Sequence, residues 1–145
     1  MNRLEQNKST NIRFFECFSN ESNFEFEENW IREDVQFILS FAQVAGLTQV
    51  RNLIQKERSV FENLKYTIID SGLVLEEFSG AAFWLMTGKQ VKSWNGIPAT
   101  FNEINVSGAT LFSFDVDGKI KEIQIQIDLL SLMSQINGIK KLYDF

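Results

Sequence analysis

The chain has 145 residues, is 44% hydrophobic and carries a formal net charge of −5, with no basic run longer than Lys140-Lys141. That length suffices to bury roughly 68–70% of the unfolded surface in one domain, residues 1–145, while the acidic balance argues against nucleic acid and against an anionic membrane surface as partners. With no His and a single Cys, Cys17, the commonest general base, the Ser and Cys triads, an intramolecular disulfide and the usual transition-metal ligands are all missing, so neither metal nor cofactor is expected.

Residues 1–11 are polar and lack the apolar stretch of a signal peptide, and no apolar run is long enough to span a bilayer. The expectation is a cytoplasmic protein. Ile12, Phe14, Phe15, Cys17 and Phe18 form a helical apolar stripe behind Thr10 or Asn11 as cap. The break at 19–22 precedes a short second helix over Asn23–Ile31, whose acidic residues Glu25–Glu28 read as a solvated face. Val35, Phe37, Leu39 and Phe41 alternate with polar residues, which predicts a strand. Thr48 can cap a third helix with the stripe Val50, Leu53, Ile54, Phe61 and Leu64.

The second half reads as an antiparallel meander. Strands are predicted over Tyr66–Asp70, Leu73–Phe78 and Ala81–Lys89, with Ser71-Gly72 as the first turn. A long segment through Gly96 follows. Glu103–Val116 and Lys119–Ile127 flank Asp117-Gly118, a strong hairpin signal. Asp128–Asn137 is a closing helix with Gly138 at its C′ position. Helices first and a sheet afterwards predict an α+β fold.

Four segments of this half carry a resemblance. They are Gly88-Lys89-Gln90, Gly96-Ile97-Pro98-Ala99-Thr100, the run Asp117 to Glu122, and Asp128 to Gly138 with its Leu129, Leu132 and Gln135. In this order and spacing they resemble the SnoaL-like polyketide cyclase family, within the nuclear-transport-factor-2-like superfamily. The clear match runs from Gly80 to Gly138. The resemblance implies a strongly curved antiparallel sheet, with N-terminal helices closing a cone around a pocket for one lipophilic molecule. It also implies that Asp128 is the acid/base of a cofactor-free aldol cyclisation. Other relatives isomerise or hydrate small lipophilic molecules. Two departures stand out: the family His falls at Gln90, which exchanges no proton near neutral pH, and the Pro-Pro-Thr-Gly turn is Pro98-Ala99-Thr100-Phe101.

Asp128 can also simply N-cap the last helix. Strand parity groups Glu122, Gln124, Gln126 and Asp128 on one face and Ile123, Ile125 and Ile127 on the other. The polar face is expected to look into the cone. There a carboxylate among rings would lose hydration and rise toward a pKa useful for proton transfer. Gln124 and Gln126 would then orient a substrate, or else form a solvated face, and Gln90 would donate where the family uses His, or else be a loop residue. Fourteen Phe and three Trp supply rings for a lining, with Trp84, Trp94 and Phe101 as candidates, or for an ordinary core. Cys17 reads as core, Asp70 as a turn residue, and Tyr66 receives no role. The Ile stripe, opposite the pocket face, would need cover, so a homodimer through Ile123, Ile125 and Ile127 is expected. The leading function is a cyclase or isomerase for a polyketide-like or terpenoid-like compound. The alternatives are a non-catalytic lipophile-binding or assembly module and an epoxide hydrolase of the limonene type.

Overall fold

The computed structural model describes residues 2–18 and 29–137. Helix α1 spans Arg3–Glu16 and starts earlier than the apolar stripe predicts. Asn2 is the cap, its side chain accepting from the Glu5 N–H at 2.8 Å. The added turns carry polar residues that are nonetheless buried: Asn7, Thr10 and Asn11. Asn7 Nδ2 donates to the carbonyls of Glu76 and Glu77 at 2.9 and 3.0 Å, which ties the helix to a distant hairpin. The predicted faces of Phe14, Phe15, Cys17 and Phe18 are buried as expected, whereas Ile12 is exposed. The predicted second helix and the Glu25–Glu28 cluster lie almost wholly outside the described residues, and Ile31 opens a strand.

Strand β1 (Ile31–Ile38) is followed by a short β2 (Gln43–Ala45), so the predicted strand turns back before Phe41. Helix α2 covers Leu47–Val60, with Gly46 rather than Thr48 at the cap. It ends four residues before Leu64, because Phe61 and Leu64 belong to the 15-residue strand β3 (Phe61–Leu75). β4 (Ser79–Gln90), β5 (Glu103–Phe114) and β6 (Ile120–Ile127) complete a six-stranded sheet of order β2-β1-β6-β5-β4-β3. All neighbours are antiparallel except β1 and β6. The sheet is curved and unclosed, with β2 and β3 as its edges.

Ser71-Gly72 is not the hairpin turn. It forms a bulge within β3, where the register to β4 shifts between Ile68 and Leu73 and Ser71 has φ 61°. The chain reverses instead at residues 76–79, where Glu76 N donates to Ser79 O at 2.8 Å. The Asp117-Gly118 turn forms as predicted, with Gly118 at φ 84° and Asp115 Oδ1 accepting from the Asp117 and Lys119 N–H groups. Helix α3 spans Leu129–Gln135. Asn137, at φ 60°, takes the left-handed position behind it that was expected for Gly138.

One face of the sheet packs against the helices. Its residues are Val35, Phe37, Trp84, Met86, Ile104, Val106, Phe112, Ile123 and Ile125, all buried. The Ile stripe of β6 therefore faces the interior, and Gln124 and Gln126 face solvent. This reverses the expected parity and removes the proposed dimer face, since Ile123 and Ile125 are covered by their own subunit. The physical reason is direct: the β-branched side chains gain by leaving water, and the two amides would lose their hydration if they took that face instead.

Candidate functional site

The concave side of the sheet does not pack solidly against α1, α2 and α3. Between them lies a cavity of about 80 Å³, room for roughly two or three waters. Its walls are mostly hydrocarbon and aromatic: Phe37 and Leu39 from β1, Leu53 and Val60 from α2, Trp84 and Met86 from β4, Ile125 and Ile127 from β6, and Leu132 from α3. Phe41 and Trp94 meet at its rim, ring centroids 5.6 Å apart and nearly perpendicular.

Three titratable side chains reach this lining, Lys56, Glu57 and Tyr66. Glu57 sits in the last turns of α2, four and three residues after Leu53 and Ile54, so it lies on the helix's apolar stripe and is carried toward the sheet. Tyr66 comes from β3, on the same inward face as Leu64 and Ile68. The Tyr66 hydroxyl donates to Glu57 Oε1 at 2.5 Å. Rings fix the phenol, with Phe18 at 5.0 Å and Trp84 at 4.9 Å between centroids. Trp84 is itself fixed by its indole N–H, which donates to the buried Thr110 hydroxyl at 2.8 Å. Gly108 leaves the space the Trp84 ring occupies, since a Cβ there would strike the ring.

Burial disfavours the charged form of Glu57 and pushes its carboxyl up to about 7; the Tyr66 hydrogen bond opposes this more weakly. The Tyr66 phenol is pushed well above its ordinary value, by burial first and by the adjacent Glu57 second. At neutral pH the phenol therefore keeps its proton, while the carboxyl is divided between its two forms. No cation forms an ion pair with Glu57 among the described residues.

Of the residues singled out in the sequence, Trp84 and Trp94 line the cavity. Asp128 does not: it is exposed and caps α3, its side chain accepting from the Ser131 N–H at 3.1 Å. Its carboxylate lies on the solvent side, as the reversed parity of β6 requires. Gln124 and Gln126 are exposed on the convex face with it. Phe101 is 60% exposed and lies outside the lining. Gln90 is fully buried but spends its amide on its own loop. Its Oε1 accepts from the Thr100 N–H and hydroxyl, and its Nε2 donates to the Ile97 and Pro98 carbonyls. Gln90 thus shapes the loop that carries Trp94 rather than meeting a ligand.

Glu57 and Tyr66 were not legible as a site. A carboxylate on the apolar stripe of a helix was the available signal, and it was masked by reading that helix through to Leu64. No group of three or more His, Cys, Asp or Glu side chains is arranged to hold a metal among the described residues. No described helix is long and apolar enough to cross a membrane.

Residues 10–136 match the family SnoaL-like polyketide cyclase. Among solved structures, TsrD from Streptomyces laurentii superposes with a TM-score of 0.81 at 23% identity, covering 93% of this chain and 97% of its own. A candidate SnoaL-like polyketide cyclase from Jannaschia sp. CCS1 gives 0.73 at 21% identity over 96% of both chains. IdmH, a candidate polyketide cyclase from Streptomyces antibioticus, gives 0.74 at 18% identity, over 91% of this chain and 99% of its own. These likenesses establish the fold. No curated protein matches the sequence.

Proposed function

The chain belongs to the SnoaL-like polyketide cyclase family, and on that premise we propose that it is a small-molecule cyclase or isomerase working inside the concave cavity. One observation carries this reading: a mostly apolar cavity whose lining includes a hydrogen-bonded acid–phenol pair, Glu57 and Tyr66. An apolar wall selects a lipophilic substrate, and a few placed polar groups orient it. At about 80 Å³ the enclosed space is too small for an extended polycycle, so a ring compound would fill it and reach out past Phe41 and Trp94. Among the described residues the lining holds no Asp and no Arg, which disfavours hydration by an Asp-Arg-Asp arrangement.

Titration with 1-indanone, a small fused-ring ketone, tests the location. Saturable binding by calorimetry is expected for the wild type. Ile125→Phe, which fills the cavity from β6, should weaken it at least tenfold. Equal binding by this variant, or none by the wild type, would move the function elsewhere.

A further inference from the structure

The geometry points to Glu57 as the proton-transfer group of this protein, with Tyr66 as the residue that positions its carboxyl, in place of Asp128. This rests on the cavity being the reaction site. Asp128 is committed to capping α3 on the outer surface, so a substrate enclosed by Phe37, Trp84 and Ile127 cannot reach it. Glu57 is the acidic side chain in the lining among the described residues. Its Oε1 is held by the Tyr66 hydroxyl at 2.5 Å. Its Oε2 makes no hydrogen bond among the described residues and is left for a substrate.

The chemistry balances without a co-reactant. Glu57 Oε2 takes a proton from a carbon beside a substrate carbonyl, and the C–H electron pair moves to the carbonyl oxygen as an enolate. In an isomerisation the same carboxyl returns the proton to another carbon of the conjugated system. In a ring closure the enolate carbon bonds to a second carbonyl carbon of the same molecule, and Glu57 protonates the alkoxide that results. The Tyr66 phenol, which keeps its proton throughout, holds the charged carboxylate in place and moderates the effect of burial on it.

From the elements packed around Glu57, the charged and titratable groups on the cavity wall are Lys56 of α2 and Tyr66 of β3; α1, β1, β4, β6 and α3 bring none. Lys56 forms no ion pair with Glu57. The pH dependence of the cavity is therefore that of Glu57 itself.

A probe reaction with 5-nitrobenzisoxazole separates the alternatives. A base removes the C–H proton of this fused-ring compound, the freed pair completes a nitrile, and the N–O bond breaks to leave a coloured phenolate. Wild-type protein should accelerate this step over acetate at equal concentration, with a rate that climbs with pH about a midpoint near 7. Glu57→Gln should lose on the order of 10²-fold, the lower range for a positioned base, while still binding 1-indanone. Tyr66→Phe should keep catalysis but move the midpoint to higher pH, because the lost hydrogen bond favoured the charged form. A merely structural tyrosine would leave the midpoint alone. Asp128→Asn should match the wild type. If Ile125→Phe abolishes the reaction and Glu57→Gln does not, the cavity stands and this assignment falls. If neither variant matters, or the wild type is no faster than acetate, the assignment and the cavity reaction fall together.

Discussion

At the scale of single residues, the strand Ile120–Ile127 shows how far an alternating pattern reaches. Period-two parity correctly grouped Gln124 with Gln126 and Ile123 with Ile125, but parity alone names no inside. Burial decides it, and the Ile face won. Glu57 is the opposite case, a charged residue placed where the helix period wants an apolar one. Its elevated carboxyl value has a consequence for stability. Between the ordinary 4.5 and about 7 the folded protein retains a proton that the unfolded chain releases. Stability is therefore lost as pH rises through that interval, and the loss persists above it. Glu57→Gln should raise the melting temperature at pH 8 and change it little at pH 4, a difference that calorimetry at the two pH values reads directly. Asp128 affects stability only through its cap: Asp128→Ala should cost ~1 kcal/mol in denaturant unfolding and Asp128→Asn close to nothing.

At the scale of elements, the meander β3 to β6, the Asp117-Gly118 turn and the closing helix were legible because each has a local signal. The length of α1 was not, since its first turns bury Asn7, whose amide partners lie about seventy positions away, and Thr10 and Asn11, which donate back to the carbonyls of Gln6 and Asn7 one turn earlier. The loop between β4 and β5 was read only as a long segment. It is in fact built tightly. Asn95 and Gly96, both at positive φ, make a two-residue turn closed by reciprocal hydrogen bonds between Trp94 and Ile97, and Gln90 ties the loop's other limb. Gln90 is thus a residue whose buried amide is fully occupied by its own loop. Gln90→Ala should leave those loop groups without partners and cost about 1–3 kcal/mol. Faster amide exchange over residues 91–102 and a red shift of Trp94 emission would accompany the loss. Unchanged exchange would show that the backbone bonds from Gln90 to Phe101 and Asn102 hold the loop unaided.

At the scale of the whole molecule, the reversal of β6 relocates the apolar surface that needs cover. The convex face of the sheet carries Phe83, 51% exposed, and Leu111, 47% exposed. Register places Phe83 opposite Ala109, and Ala109 opposite Gln126; likewise Ala81 faces Leu111, and Leu111 faces Gln124. Two adjacent rows therefore form a patch of rings, methyl groups and amides without charge, on the side away from the cavity. Depletion of charge and the presence of an aromatic ring are features that interface cores share, and an exposed apolar patch calls for cover. A second copy of the chain is the expected cover, now through Phe83 and Leu111 instead of the Ile stripe. Light scattering at micromolar concentration should give about twice the 16.8 kDa chain mass. The double variant Phe83→Ser, Leu111→Ser should return one chain mass. Because the cavity opens on the other side of the sheet, that variant should keep its affinity for 1-indanone. A wild-type protein that scatters as one chain, or a double variant that remains paired, would show that this face meets water after all.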